Sequence, residues 1–388
     1  MKTGNFNAFF IVFWLSLTLS WLLPSAGWIA AHNYRFLPKE NYKIGQKADL
    51  VTFTPVGSYS PLDTPVDVKI YGNLAFIADF YSGMRVLNVS NPTNLSLTST
   101  YDTSGNAWAV EIIENQAFVA DSWSGLIILN ITDPLNLSKI GSYVTPNIFA
   151  VDVLVSGEFA YIADLTGGLQ IVNIIDPTNP TYTGSYDTPG DARAVAIAGD
   201  YVFVADDEAG MTIIDVADPT SPSLVTSYDI PGRAYGIAIV REYAFIADYD
   251  NGLQIVSITD PTNPVYAGSC KTSGKAYDVV IESDFAFIPD SLWGLWAIDI
   301  IDPEIASYAG SCDTPGEAFS VAITGKYAFI GYSGGDTTPG LQVYQINYSP
   351  RPTTSLTSGW TLTFFVLTLM TLVFGKSKKM IQKNKKET

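Results

Sequence analysis

The chain has 388 residues, of which 47% are hydrophobic, enough apolar material for a large buried core. Its formal net charge is −17, and residues 28–350 carry thirteen Lys/Arg against thirty-seven Asp/Glu, a balance of −24. A domain this acidic repels nucleic acid and anionic lipid, so we expect no nucleic-acid partner.

The N-terminus predicts a signal peptide over residues 1–27. Lys2 precedes an apolar run from Phe9 to Leu23, and small residues follow Pro24. A run of fifteen residues is typical of a signal-peptide core and short for a membrane span. Cleavage between residues 27 and 31 fits, and an uncleaved anchor is the alternative. Residues 28–49 are polar and irregular, and we interpret them as a leader into the folded domain.

A repeat of about forty-two residues fills residues 50–348. Each copy contains a strand that ends in Phe/Tyr, a hydrophobic residue, Ala and Asp. The ends fall at Asp79, Asp121, Asp164, Asp206, Asp248, Asp290 and, in altered form, Tyr332. Their spacings are 42, 43, 42, 42, 42 and 42 residues. Seven copies at a nearly constant period indicate a repeat architecture that folds as one domain.

Each copy predicts four short antiparallel strands. In the fourth copy, apolar and polar residues alternate over 192–198, 201–206 and 211–216, and turns rich in Gly, Asp and Pro separate these segments. A fourth strand follows the Asp-Pro-Thr-Ser-Pro turn at 218–222. Four strands per copy in seven copies predict an all-β fold, a seven-bladed β-propeller of four-stranded blades.

The last copy lacks a fourth strand and runs directly into Ser-Pro-Arg-Pro. An orphan strand at Val51–Tyr59 ends in Gly-Ser-Tyr, as fourth strands do at 141–143 and 184–186. We expect this N-terminal strand to pair with the third strand of the seventh copy. That pairing closes the ring and removes two exposed sheet edges.

The C-terminus predicts a membrane anchor. Residues 349–354 form a linker, residues 355–375 are apolar or uncharged, and residues 376–388 are rich in Lys. Such a segment can span a bilayer as one transmembrane helix, with the basic tail in the cytoplasm. With a signal peptide, this places the propeller outside the plasma membrane, at the cell surface. A transient sorting tail is the alternative.

The third strands share a sequence signature. They read MRVLNV at 84–89, LIILNI at 126–131, LQIVNI at 169–174 and MTIIDV at 211–216, each after an Ala-Asp strand end and before Asn/Asp-Pro. These copies resemble the LVIVD-repeat family of β-propellers over residues 57–348. The resemblance implies a propeller fold and a surface or exported protein, and it implies no defined activity. The seventh copy departs from the pattern, with Gly-Tyr at 331–332 and an insertion at 333–340.

The repeated Asp has a structural and a functional interpretation. It can accept backbone N–H bonds in its own turn while the Gly four residues later takes a positive φ. Alternatively, the carboxylates form an acidic face that binds Ca²⁺, the one cofactor we consider. Exposed aromatic residues beside carboxylates suit carbohydrate stacking or a protein interface. The candidate binding residues are Asp79, Tyr81, Asp121, Trp123, Asp164, Asp206, Asp207, Glu208, Asp248, Tyr249, Asp250, Asp290 and Trp293.

A second set of candidates begins the first strands. They occupy one repeat position, which we expect at the mouth of the central channel, where they wedge between blades or line a site. This set is Trp108, Arg193, Tyr235, Tyr277 and Phe319.

Several chemistries are excluded or disfavoured. The one His, His32, lies outside the repeats, which excludes a His-based triad, a His metal cluster and His-ligated haem within the propeller. Cys270 and Cys312 occupy the repeat position of Tyr in neighbouring copies, so their separation should exceed ~7 Å and leave both as free, buried thiols. Asn94 and Asn136 are the candidate glycosylation sites.

We therefore expect a membrane-tethered binding or adhesion scaffold at the cell surface, with a surface protein or a carbohydrate as partner. One alternative is an extracytoplasmic hydrolase or lyase that uses carboxylates or a bound metal at the channel mouth. A purely structural envelope component is the other. An enzyme should bring together polar residues that do not repeat from blade to blade.

Overall fold

A computed structural model of the protein describes residues 50–147, 149–334 and 337–350. The predicted signal peptide, leader, transmembrane helix and basic tail, and most of the linker, lie outside these residues. Within the described ranges, no helix has the length and apolar character needed to cross a bilayer.

The described residues form seven antiparallel sheets of four strands, so the predicted seven-bladed propeller is confirmed. Blade 1 comprises β2 (Asp67–Tyr71), β3 (Leu74–Ala78), β4 (Met84–Asn88) and β5 (Ser96–Tyr101). Blade 2 comprises β6 (Ala109–Ile113), β7 (Gln116–Ala120), β8 (Leu126–Asn130) and β9 (Ser138–Tyr143). Blade 3 comprises β10 (Asp152–Ser156), β11 (Phe159–Ala163), β12 (Leu169–Asn173) and β13 (Thr181–Tyr186).

The remaining blades follow the same order of strands. Blade 4 comprises β14 (Ala194–Ala198), β15 (Tyr201–Ala205), β16 (Met211–Asp215) and β17 (Ser223–Tyr228). Blade 5 comprises β18 (Ala234–Val240), β19 (Tyr243–Asp248), β20 (Gly252–Ser257) and β21 (Val265–Cys270). Blade 6 comprises β22 (Val280–Glu282), β23 (Phe285–Pro289), β24 (Leu295–Asp299) and β25 (Ser307–Cys312), with a 3₁₀ helix at Pro303–Ile305 before β25.

Blade 7 joins the two ends of the propeller, as predicted. It comprises β26 (Glu317–Thr324), β27 (Tyr327–Ser333), β28 (Gly340–Tyr348) and the N-terminal strand β1 (Val51–Tyr59). β1 runs antiparallel to β28, from the pair Val51 and Tyr348 to the pair Tyr59 and Leu341. This pairing gives the outer edge of β28 a hydrogen-bonded partner and closes the ring.

The first strands of the blades form the innermost ring, because each contacts the first strands of its neighbours all the way round. The hydrophobic core lies between blades. Seven clusters of buried side chains each combine residues from two neighbouring blades. One second-strand position supplies a buried ring to every blade: Phe76, Phe118, Tyr161, Phe203, Phe245, Phe287 and Phe329. Removing one such Phe ring costs about 3–5 kcal/mol in a packed core.

The loops from second to third strands share a strained turn. Gly83 of blade 1 has φ +70°, and an added Cβ would lie 2.4 Å from the carbonyl oxygen of Tyr101, so this position requires glycine. The predicted positive φ of this Gly is therefore confirmed. Three residues earlier, Phe80 also has a positive φ, and its carbonyl accepts a hydrogen bond from Ala107 of blade 2. The turn thus fixes the backbone of one blade against the next.

Candidate functional site

The loops between second and third strands and the crossover loops between blades lie on one face, here called the loop face. The hydrogen bonds of the repeated Asp residues show this. In blade 4, Asp206 accepts bonds from the hydroxyl of Thr188 at 2.7 Å and from the backbone N–H of Gly190 at 3.1 Å. Both donors belong to the crossover loop that leads into the same blade. The Asp therefore ties the crossover loop to the end of the second strand.

Five of the six repeated Asp carboxylates bind the crossover loop in this way. Asp79 accepts from the N–H groups of Asp63 and Thr64, at 2.8 and 2.9 Å. The remaining one, Asp248, bonds within its own turn, to the N–H groups of Asp250 and Asn251 at 3.2 Å. The equivalent acceptors elsewhere are Asp121, Asp164 and Asp290. The structural interpretation of these residues thus holds, although most donors come from the crossover loop and not from the turn itself.

The repeated carboxylates are fully buried. All six side chains have 0% exposure. Burial raises the pKa of the Asp79, Asp121, Asp164 and Asp290 carboxyl groups above its ordinary value. A ligand on the loop face does not reach these oxygens in this conformation, and their predicted binding role stays a prediction. Within the described residues, no group of three or more His, Cys, Asp or Glu side chains is arranged to hold a metal ion.

An aromatic cluster lies at the channel mouth on blades 5–7. Tyr235 stacks on Tyr249 with ring centroids 4.4 Å apart, and Tyr249 meets Tyr277 at 5.4 Å. Tyr277 then meets Phe319 at 4.9 Å. Burial raises the pKa of the Tyr277 hydroxyl, and a hydrogen bond with Tyr249 raises it further. The structure therefore brings together three residues predicted at the channel mouth, Tyr235, Tyr277 and Phe319, with one predicted loop residue.

Three cations complete this cluster. The Arg193 guanidinium lies 4.2 Å from the Tyr235 ring centre, Arg233 lies 4.3 Å from that of Tyr249, and the Lys275 ammonium lies 4.4 Å from the same ring. Such cation–π contacts contribute about 0.5–1 kcal/mol each at exposed sites. We call Arg193, Asp207, Arg233, Tyr235, Tyr249, Asp250, Lys275, Tyr277 and Phe319 the mouth cluster.

Two carboxylates hold the cations in place. Asp207 accepts a 2.6 Å hydrogen bond from Nε of Arg193. Asp250 accepts from Lys275 at 2.9 Å and from Nε of Arg233 at 3.2 Å. The hydrogen bond from Lys275 lowers the pKa of the Asp250 carboxyl group. Asp207 and Asp250 therefore bind side-chain cations, whereas the preceding residues Asp206 and Asp248 accept hydrogen bonds from backbone N–H groups and uncharged side chains.

The other candidates are spread around the loop face. On blades 1 and 2, Phe80 packs edge-on against Tyr81 at 4.4 Å and Trp108 at 4.8 Å. Tyr81 is 69% exposed. Trp123 is half exposed, and its indole N–H donates to the Ser104 carbonyl at 3.1 Å. Glu208 is exposed, and Trp293 is partly buried beside Gly274. These residues do not join the mouth cluster.

Charged side chains also converge within the ring of first strands. Asp67 raises the pKa of the Lys69 ammonium, with smaller contributions from Glu111, Asp278 and Asp152. Burial raises the pKa of Asp152 to about 7 and that of Asp278 to about 6. Asp152 also accepts 2.8 Å hydrogen bonds from its own strand and from the N–H of Val195 in the next blade. These charged side chains, here called the channel charges, therefore link neighbouring first strands.

The remaining sequence predictions concern modification sites and thiols. Cys270 and Cys312 are free thiols, and they pair with Leu253 and Leu295 in the same register as Tyr186 with Leu169. The prediction of free thiols is confirmed, but both are only partly buried, where buried thiols were predicted. Asn94 is exposed on the face opposite the loop face. Asn136 is exposed as well, but its amide donates to Asp133 at 2.7 Å.

Sequence reasoning missed Arg233, Lys275 and the channel charges. Arg233 and Lys275 occupy one repeat position, directly before the buried Ala of the first strand, where other copies carry Asn106 or Asp191. The signal was a basic residue in two neighbouring copies of an otherwise acidic repeat. For the channel, the signal was a charged residue such as Lys69 at a first-strand position that holds Ala196 in another copy.

Comparison with solved structures shows the same class of fold. The β-propeller domain of Cps50 (Swd1) from Myceliophteria thermophila superposes with a TM-score of 0.61 at 10% identity, over 76% of this chain and 100% of that domain. The computationally designed Ika8 protein superposes with a TM-score of 0.54 at 7% identity, over 72% of this chain and 84% of that one. At these identities the similarity defines the fold alone. The comparison with curated proteins gives no significant match.

The repeats define the family. The LVIVD repeat matches residues 65–103, 104–145, 149–188, 189–230, 231–272, 273–314 and 315–337. These segments cover most of the chain; the first six each span one of blades 1–6, and the seventh spans β26 and β27 of blade 7. The chain therefore belongs to the LVIVD repeat family, as its third strands indicated.

Proposed function

We propose that the protein is a cell-surface binding scaffold, tethered to the membrane, that engages its partner through the loop face. The observation that carries this proposal is the mouth cluster. At the repeat position that holds Arg193, Tyr235, Tyr277 and Phe319 in blades 4–7, blades 1 and 3 carry Val66 and Val151 instead. Aromatic and Arg side chains are the residues that most often contribute binding energy at interfaces. The fold needs only the residues that repeat from blade to blade, so it does not require aromatic or Arg side chains at this position in four blades.

The proposed cellular location rests on the sequence. A signal peptide at 1–27, a transmembrane helix at 355–375 and a basic tail at 376–388 would display the propeller outside the cell. Labelling of intact cells with a membrane-impermeant amine reagent tests this. The propeller should be labelled at lysines such as Lys139 and Lys271, whereas labelling only after lysis would contradict a surface location.

The experiment for binding uses the full chain, solubilised in mild detergent, on arrays of glycans and surface proteins with and without Ca²⁺. We expect retention of a partner by the wild type and its loss in Tyr249→Ala. Tyr81→Ala is the matched control, because it also removes a Tyr from a loop of the same face but lies outside the mouth cluster. If neither variant loses binding, the interface lies elsewhere on the protein.

A hydrolase or lyase is the second candidate, and the channel charges favour it. Asp152 and Asp278 have pKa values of about 7 and 6, suited to a proton donor near neutral pH. Both carboxylates also accept a hydrogen bond from the backbone N–H of the next residue, at 2.7 to 2.8 Å, which gives them a structural use. Turnover of any array ligand that disappears in Asp278→Asn, with binding retained, would favour the enzyme over the scaffold.

A further inference from the structure

The mouth cluster brings cationic side chains together on an acidic domain. Residues 50–350 contain nine Lys/Arg and thirty-five Asp/Glu, and three of the nine cations lie in this cluster. Asp207 and Asp250 pair with these cations, and Glu317, at the repeat position of Arg233 and Lys275, lies near Tyr277, so the cluster has no surplus of positive charge. An anionic group is therefore attracted by individual cationic donors at short range, where screening by salt is weakest, and not by a net charge.

The cations keep donors available for a ligand. Arg233 uses Nε for Asp250, and its two Nη groups donate no hydrogen bond within the described part of the chain. Lys275 uses one of its three donors for the same carboxylate. The side chains of Arg233 and Lys275 are 34% and 45% exposed. A planar carboxylate fits the free edge of a guanidinium through two parallel hydrogen bonds.

The aromatic residues supply the second half of the site. Tyr235, Tyr249, Tyr277 and Phe319 are partly exposed and succeed each other at 4.4 to 5.4 Å around the mouth. Their rings are rigid apolar surfaces with hydroxyl groups at three of the four positions. In addition, Oδ1 of Asp207 is buried beside Arg193 and accepts no hydrogen bond from the described residues. A ligand that carries hydroxyl groups would meet both kinds of surface.

We propose that the mouth cluster binds a glycan with a terminal uronic acid. The sugar carboxylate would pair with Arg233 and Lys275, and the apolar face of the ring would pack on the tyrosines. The rest of the domain has a surplus of acidic residues, which would repel a long polyanion. We therefore expect a ligand whose negative charge is confined to one end. This inference rests on the proposed binding function and names its ligand class.

The test is calorimetric titration of the full chain with two matched disaccharides, one ending in glucuronic acid and the other in glucose. We expect at least ~10-fold tighter binding of the acidic sugar, an advantage that falls with added salt. Arg233→Gln should abolish that advantage and leave the weak binding of the neutral sugar unchanged. Lys271→Gln is the control, because it removes a positive charge from the same crossover loop as Lys275 but outside the cluster.

Equal affinity for the two sugars, or an unchanged preference in Arg233→Gln, would overturn the inference. Binding of an acidic peptide but not the acidic sugar, with the same dependence on Arg233, would also overturn it, since it assigns the site to a protein. In either case, an array partner that needs Tyr249 would leave the proposed scaffold function standing. The free energy of unfolding of each variant checks that Arg233→Gln and Lys271→Gln remain folded.

Discussion

Two consecutive residues on the loop face, Asp206 and Asp207, have different roles. Asp206 repeats in six blades, is completely buried and accepts hydrogen bonds from Thr188, Gly190 and Thr212. Asp207 belongs to blade 4 alone and holds Arg193. The same contrast separates the whole ring of repeated Asp residues from the mouth cluster. Residues that repeat satisfy the demands of the fold, whereas residues that depart from the repeat are the candidates for function.

The largest effect should follow removal of a repeated carboxylate. Asp206→Ala leaves the buried donors Thr188, Gly190 and Thr212 without their acceptor, at about 1–3 kcal/mol for each unsatisfied group and about 3–5 kcal/mol in total. Chemical denaturation measures the loss. Glu208→Ala, two residues away and exposed, should change the free energy of unfolding by less than about 0.5 kcal/mol. Equal losses of unfolding free energy in Asp206→Ala and Glu208→Ala would contradict the distinction between repeated and non-repeated residues.

A smaller loss of stability is expected in the mouth cluster. Tyr249→Ala removes one stacked pair with Tyr235 and the cation–π contacts to Arg233 and Lys275, worth about 1–2 kcal/mol together. Thermal or chemical denaturation measures this change. A loss as large as that of Asp206→Ala would show that the cluster is primarily a structural element.

The channel carboxylates predict a dependence of stability on pH. The pKa of Asp152 is about 7 in the folded protein and ~3.9 in an unfolded chain, so the folded state binds the proton more tightly. Stability should therefore increase as pH falls from about 7 towards about 4. One such proton gives at most ~1.4 kcal/mol per pH unit, and water in the channel reduces this.

Denaturation at two pH values tests that dependence. Asp152→Asn should show a smaller gain than the wild type between pH ~7 and ~5. Asp176→Asn is the control, because the hydroxyl of Thr178 lowers the pKa of Asp176 and gives it the opposite sign. An identical gain in Asp152→Asn and the wild type would contradict the assignment.

The smallest effect is expected from a substitution that restores the residue common to the other copies. Cys270→Tyr restores the residue found at 59, 101, 143, 186 and 228, and it should change stability by less than about 1 kcal/mol. Burial raises the pKa of the Cys270 thiol to about 11, so the wild-type thiol should react slowly with a thiol reagent at pH ~8. Rapid labelling of the folded protein would contradict this environment.

The sequence predicted the parts of the structure that depend on period. The blade count, the pairing of β1 with β28 and the positive φ of Gly83 all follow from strand spacing and turn chemistry. The donors to Asp206 were not predicted, because spacing within one turn does not reveal that a loop some eighteen residues earlier folds over it.

The candidate site was predicted only in part for a similar reason. Tyr235 and Tyr249 stood out as aromatic residues at repeat positions near the loop face. Their stacking with Arg233 and Lys275 depends on side-chain direction across two blades, which no single copy encodes. Carboxylates from several first strands lie near Lys69, and only the closed ring brings them together.

The most direct test compares ligand bound per folded molecule in Asp121→Asn and Tyr249→Ala. Asp121 is a repeated carboxylate that accepts from Gly105, and Tyr249 lies at the centre of the mouth cluster. We predict that folded Asp121→Asn binds an array partner as the wild type does, although it unfolds more easily, and that folded Tyr249→Ala does not bind. Loss of binding in folded Asp121→Asn, with retention in Tyr249→Ala, would contradict the account.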